Sequence, residues 1–274
     1  MAPEHIPPGY ESIMDNSFAG RTIAITGGGS GIGLATTRAL LNAGATVYVA
    51  DVMKAPSELE GQANLHYDGS CDITKRECCK KFIESIAGNL DGLVNCAGIC
   101  PVEGKMASDE LFARIMAINV TGSWNMGTEA IQKMNQQKGS SAPGLLPGSE
   151  RSLGAGVIVN IASGASLRGI AGLTAYCTSK HAVLGMTRSW AKEWPSLRVN
   201  AVAPGVTDTP LSRGATTNTG NTADLQKLSS ALSARIPLGR MAYATDIADV
   251  IMFALSEAAS FITGQVIPVN GGSD

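Results

Sequence analysis

Thr22-Ile23-Ala24-Ile25-Thr26 runs directly into Gly27-Gly28-Gly29-Ser30-Gly31-Ile32-Gly33, and this junction decides the fold. The first five residues are apolar and β-branched, as a buried strand requires. Behind the glycines, Ile32 to Ala43 reads as a helix with Leu34, Ala35, Ala39 and Leu40 on one face, stopped by Gly44. Gly27, Gly31 and Gly33 let the chain turn sharply between strand and helix. Backbone N–H groups at the helix start can then approach a pyrophosphate with no side chain in the way. The spacing Gly-x-x-x-Gly-x-Gly differs from the Gly-x-Gly-x-x-Gly fingerprint. The dinucleotide reading therefore rests on the loop's place, after the first strand and before an apolar helix.

Outward from this junction the pattern repeats. Thr46-Val47-Tyr48-Val49-Ala50 predicts a second strand ending at Asp51, and further strands are expected at 93–95, 156–161, 197–202 and 265–269. Helical patterns fall at about 75–87, 108–137, 175–193 and 244–257. Continuous apolar strands alternating with helices point to an α/β fold, a Rossmann-like doubly wound parallel sheet with helices on both faces, in a single domain. Residues 21–274 form the expected dinucleotide-binding catalytic domain, and residues 1–20, proline-rich at their start, read as an N-terminal extension. The Gly/Ser/Pro-rich stretch 138–155 reads as an inserted surface loop. Residues 206–236, small and polar in their centre and weakly helical from Ala223 to Ala234, read as a lid over a ligand site.

Composition removes several function classes. The net charge is −2, 16% of residues are charged, and no basic stripe offers itself to nucleic acid. No run of eighteen apolar residues suggests a membrane span, and a basic-then-apolar leader pattern is missing, so a cytoplasmic protein is expected. The cysteines at 71, 78, 79, 96, 100 and 177 follow neither disulfide nor zinc spacing, and no metal is expected.

Two features carry chemistry. Asp51, at the end of the second strand about twenty residues beyond the loop, is placed to accept hydrogen bonds from the adenosine ribose. Its charge would repel a 2′-phosphate and no Arg or Lys stands inside the glycine loop, so NAD is favoured over NADP, although Lys54 follows close behind. Tyr176 and Lys180 are separated by one helical turn and share a face if 176–180 is helical. An ammonium beside a phenol favours the ionised form, which suits Tyr176 for proton transfer.

With these residues in place, the chain resembles the short-chain dehydrogenase/reductase family in its single-domain form, from about Arg21 to Gly272. The matching segments are Thr26 to Gly33, Cys71-Asp72-Ile73-Thr74, Asn95-Cys96-Ala97-Gly98, Asn119, Ser163, Tyr176 with Lys180, and Pro204-Gly205. Cys96 stands where the family often has Asn, and Thr178 where it often has Ala. The resemblance implies a catalytic set of Asn119, Ser163, Tyr176 and Lys180. Ser163 would donate to the substrate oxygen, Lys180 would also bond the nicotinamide ribose, and Asn119 would help hold a water between Lys180 and solvent.

For the cofactor it implies Gly27, Ser30, Gly31, Ile32, Gly33, Asp51, Cys71, Asp72 (on the adenine amino group), Asn95, Ala97, Gly98, Pro204 and Gly205, with Val206 and Thr209 on the carboxamide. The substrate pocket would take in Cys100, Ser163, Ala165, Arg168, Leu173, Tyr176 and Leu211. Those positions are mostly small or apolar, which suggests a hydrophobic secondary alcohol or its ketone. Arg168 would either anchor a carboxylate or face water. The leading expectation is an NAD(H)-dependent alcohol dehydrogenase of specialised metabolism, working as a homodimer or homotetramer. The alternatives are an NADPH-dependent ketoreductase and a cofactor-binding regulator without turnover.

Overall fold

The computed structural model describes residues 18–143, 150–212 and 233–273. In chain order the elements are β1 (Thr22–Thr26), α1 (Gly31–Asn42), β2 (Thr46–Ala50), β3 (Leu65–Asp68), α2 (Arg76–Ser85), β4 (Gly92–Asn95), α3 (Asp109–Met116) and α4 (Ser123–Asn135). There follow β5 (Ser140–Pro143), β6 (Glu150–Gly154), β7 (Gly156–Ile161), α5 (Thr174–Glu193), β8 (Leu197–Pro204), β9 (Thr207–Asp208), β10 (Ala242–Tyr243), α6 (Ala244–Leu255) and β11 (Val266–Val269). Seven strands make one parallel sheet in the order β11-β8-β7-β4-β1-β2-β3.

The alternation of side chains across each strand explains why its apolar runs are continuous. Ile23, Ile25, Val47, Val49, Val157 and Val159 point to one face, where Leu40 of α1 and Ile247, Ile251 and Met252 of α6 cover them. Ala24, Tyr48, Ala50, Leu93 and Ile158 point to the other, under Phe82 and Ile83 of α2, Met126, Ile131 and Met134 of α4, and Trp190 of α5. Both faces are dry, so neither can carry the polar half of an amphipathic strand. The strand order reverses at β1, whose neighbours are β2 on one side and β4 on the other. In such a sheet the crevice beyond the carboxyl ends of the two central strands is where a ligand enters.

Three elements differ from the sequence pattern. Strand β3 was not foreseen, because Leu65-His66-Tyr67-Asp68 has only one aliphatic residue and sits at the sheet edge. The expected single helix over 108–137 is two helices joined by a π-helical turn, Ala117–Gly122. The stretch 138–155, read as a loop, contains the antiparallel pair β5 and β6, whose connection at 144–149 is outside the described residues. The lid reading falls mostly on 213–232, and the extension on 1–17; both also lie outside the described residues.

Arg198, on β8, shows how a helix end is closed from a distance. It is only 8% exposed, and its guanidinium donates to the carbonyls of Ala254 (2.8 Å), Leu255 (3.2 Å) and Ser256 (3.1 Å). These are orphan acceptors at the end of α6. Burial pulls its pKa down to about 10, which still leaves it charged at neutral pH. Arg198→Met keeps much of the stem volume and strands three carbonyls. At a net 1.5–3 kcal/mol for hydrogen bonds to a charged group, the expected cost is about 3 kcal/mol, measured as a lower urea midpoint with unchanged m-value.

Candidate active site

The glycine loop is held from both sides. Gly27 donates its N–H to the Ala50 carbonyl (2.8 Å), and Thr37 of α1 donates its hydroxyl to the Gly28 carbonyl (3.2 Å). Gly33 packs so tightly on the turn that a Cβ there would lie 2.0 Å from the Gly27 carbonyl oxygen. Gly27 has φ +68°, and a Cβ on it would lie 2.8 Å from the Cα of Ala97, beyond β4. The loops after the two central strands therefore touch at the reversal point. Ser30 occupies the N-cap of α1 without a side-chain capping bond, which leaves the first N–H groups of the helix for an anion.

Asp51 turns back onto this loop. Its Oδ2 accepts from the Gly29 N–H (3.0 Å), and its Oδ1 from the N–H groups of Val52 (2.7 Å) and Met53 (3.0 Å). The Tyr67 hydroxyl, not foreseen in the sequence, is buried against Asp51 and Gly29 without a hydrogen bond of good geometry. Burial, and secondarily the Asp51 charge, push its pKa up to about 12.

The catalytic candidates converge on the same crevice. Lys180 is buried, and its Nζ donates to the Ile161 carbonyl (2.8 Å) while standing 5.9 Å from the centre of the Tyr176 ring. Desolvation lowers the Lys180 pKa to about 8. Ser163 caps the short turn Gly164–Ser166, its Oγ accepting from the Ala165 N–H (3.1 Å). Its hydroxyl proton remains available, and it reaches Tyr176, whose phenol pKa it pulls down. Burial nevertheless dominates and holds the phenol well above its usual value. The depression expected from Lys180 does not enter; the lowering comes from Ser163 and is outweighed by desolvation.

Asn119 sits in the π-helical turn, a feature that often marks functional positions. Its Oδ1 accepts from the Ile99 N–H (2.8 Å), and its Nδ2 donates to the Ile99 carbonyl (3.0 Å) and to Ser179 Oγ (3.0 Å). Ser179 in turn donates to the Tyr176 carbonyl (2.7 Å). The amide therefore ties the loop after β4 to α5. A Cβ on Gly98 would lie 3.2 Å from Asn119 Oδ1 and 3.6 Å from Lys180 Nζ, so both polar groups close over that glycine.

One cleft of about 310 Å³ gathers nearly all of the residues expected from the sequence. The exceptions are Asn119, just described, and Asp51, Cys71, Asp72 and Asn95. Asp51 reaches the loop through Gly29. Cys71 is a buried link whose N–H donates to the Asp51 carbonyl (2.9 Å). Asp72 closes its own turn by accepting from the N–H and hydroxyl of Thr74. Asn95 departs most from expectation. Its amide is buried and donates to Asn160 Oδ1 (2.9 Å) and the Ser123 carbonyl (3.3 Å), beneath the sheet's end and away from the cleft. Among the described residues no cluster of metal-binding side chains occurs, and no helix is long and apolar enough to cross a membrane.

The family model described as enoyl-(acyl carrier protein) reductase matches residues 27–274. The chain belongs to the short-chain dehydrogenase/reductase family. It is 35% identical over 273 residues to a 2-(S)-hydroxypropyl-CoM dehydrogenase 3 from Xanthobacter autotrophicus, covering 94% of this chain and 98% of that one. Among solved structures, the ligand-free aldohexose dehydrogenase of Thermoplasma acidophilum superposes with a TM-score of 0.81 at 29% identity, covering 94% of this chain and 95% of that one. ElxO, solved with NADP bound, superposes with a TM-score of 0.76 at 26% identity, covering 92% and 98%. Membership makes the chain an oxidoreductase that acts on CH–OH groups with a nicotinamide cofactor.

In this short-chain dehydrogenase/reductase the helix that carries Tyr176 has no cap of its own, since Leu173 at the N-cap offers no acceptor. Glu103 supplies one from the loop after β4. Its carboxylate is 7% exposed and accepts from the N–H groups of Ala175 (2.8 Å) and Tyr176 (2.7 Å). A negative charge at a helix N-terminus is favourable, and two orphan donors are satisfied at once. No local signal announces this residue, because its partners lie more than seventy positions away. Glu103→Ala leaves both N–H groups buried and unpaired, and should cost about 2–4 kcal/mol. Glu103→Gln keeps one acceptor and should lose roughly half of that, a ranking that thermal denaturation of the three proteins would check.

Proposed function

We propose that this chain is an NAD(H)-dependent oxidoreductase that interconverts a hydrophobic secondary alcohol and its ketone, with Tyr176 as the acid/base. The observation that carries this reading is the convergence of the Tyr176 phenol, the Ser163 hydroxyl and the Lys180 ammonium in the cleft that the glycine loop opens. Gly27, Gly31, Gly33 and the uncapped start of α1 fit a pyrophosphate, and Asp51 fits a ribose diol. A bound nicotinamide supplies or accepts the hydride. Ser163 donates its hydroxyl proton to the substrate oxygen and steadies charge there. Tyr176 takes the alcohol proton during oxidation and returns it during reduction. Lys180, desolvated and held by Ile161, keeps donors for a ribose and for the phenolate.

NAD is preferred over NADP on the strength of Asp51, whose neighbours Val52 and Met53 are apolar and more than 60% exposed. Neither offers a partner to a 2′-phosphate. A second reading, an NADPH-dependent ketoreductase, draws on ElxO having been solved with NADP and on Lys54 nearby. We also read the chain as a cytoplasmic homodimer or homotetramer of specialised metabolism. Half-exposed Phe112 and Trp124 on α3 and α4 favour assembly, and a solution mass of 28.2 kDa at micromolar concentration would remove it.

Fluorescence titration with NADH and NADPH separates the two cofactor readings; NADH should bind the more tightly, and the reverse order would overturn the assignment. Tyr176→Phe should keep NADH affinity yet lose roughly 10²–10⁴-fold in kcat on any alcohol that is turned over. Equal activity of both proteins would remove Tyr176 from the mechanism. Because burial raises the phenol pKa and oxidation needs the phenolate, kcat for alcohol oxidation should climb with pH through the alkaline range. Ketone reduction, which needs the protonated phenol, should hold level over the same range.

A further inference from the structure

The cleft has an unbalanced charge. Only two of its lining residues, Lys180 and Arg168, carry a formal charge, and no Asp or Glu lines it among the described residues. Lys180 is buried and committed to the Ile161 carbonyl beside Tyr176. Asp208, between the lining residues Thr207 and Thr209, is exposed and does not line the cleft, and Glu103, three residues beyond Cys100, is turned to the backbone of α5 with both oxygens engaged. Arg168 stands at the exposed rim, four residues beyond Gly164, in the same cleft wall as Ile170 and Leu173. Among the described residues its guanidinium has no hydrogen bond, ion pair or ring contact. The rest of the substrate end is apolar or small: Ile99, Cys100, Ile170, Leu173, Pro210 and Leu211.

We propose that the substrate is an anion, a hydrophobic secondary alcohol or ketone that also carries a carboxylate, with Arg168 binding the carboxylate at the rim while Ser163 and Tyr176 hold the reacting oxygen inside. The inference rests on the oxidoreductase reading and names its substrate class. The physical argument is one of desolvation. A neutral apolar ligand that fills this cleft covers an unpaired guanidinium and removes water from it with nothing returned. A carboxylate returns two parallel N–H···O bonds in the geometry that the planar fork presents. Since the rim is partly solvated, the pair escapes most of the penalty that a fully buried ion pair carries. The same arrangement orients the ligand, because its anionic end cannot be buried against Ile99, Cys100 and Leu173. Selectivity against a neutral analogue then arises from an unmet charge, which discriminates more strongly than a change of apolar volume.

The test is a calorimetric titration of wild-type protein, with and without saturating NADH, using cyclohexanecarboxylate, benzoate and octanoate, each paired with its neutral primary amide. At least one acid should bind tenfold or more tightly than its amide. Arg168→Gln should equalise the pair, and Arg168→Lys, which keeps the charge and loses the fork, should retain part of the preference. Thermal denaturation of both variants checks that they fold. Equal binding of every acid and amide, a preference that survives in Arg168→Gln, or no binding of any acid at millimolar concentration would each overturn the proposal. Loss of NADH binding by the wild type would instead count against the oxidoreductase reading, and the comparison without NADH would still report on Arg168.

Discussion

A single close approach, Gly33 over the Gly27 carbonyl, sets the position of everything that follows in the cleft. With the first turn of α1 pressed onto the end of β1, the helix axis points its free N–H groups over the crevice between β1 and β4. Any side chain at position 33 would push α1 outward and break the Thr37 bond that holds the loop. That displacement would spread, because α1 and α6 share the core beneath the sheet. The anion site and the core are thus set by one contact, and glycine is the one residue that permits it.

The second half of the site depends on a different device. Asn119 can bridge Ile99 and Ser179 only because the helix opens into a π turn around it. A regular helix over 108–137 would aim the amide differently and leave its polar atoms unpaired in a buried region, at a cost comparable to a lost hydrogen bond. The irregularity is offset by three hydrogen bonds of Asn119, two to Ile99 in the loop after β4 and one to Ser179 in the helix of Tyr176. Glu103 adds two more between the same partners. The loop that lines the substrate end and the helix that carries the acid/base are therefore tied together at two points.

This distribution explains what could be read in the sequence. The central strands and the helices α1, α2, α5 and α6 were legible because each is local: an apolar period, a β-branched run, a terminating glycine. Strand β3 was not, since an edge strand buried only in part lacks a continuous apolar run. The π turn was missed although one extra residue shifts the apolar phase by about 100°, because Asn119, Gly122, Ser123 and Asn125 around it are buried without being large and apolar. The positions of Tyr176, Lys180 and the glycine loop were legible through spacing and resemblance. Glu103 and Tyr67 were not, because each acts across a distance in sequence that no motif spans. The orientation of the Asn95 side chain was hidden for a related reason: its motif fixes a chain position next to the cleft, while the side chain bonds Asn160.

The charges of the cleft form an order that follows from burial. Lys180 is buried, and desolvation lowers its pKa to about 8. Tyr176 is kept protonated by the same burial, which would leave it a poor base if nothing else acted on it. Ser163 already draws it downward, and each further donor or cation brought into the cleft acts in the same sense. Arg168 lies apart from these groups, at the exposed rim of the cleft. A cation at the rim is suited to selecting and orienting a ligand, and one buried beside Tyr176 to holding the phenolate; the cleft holds one of each.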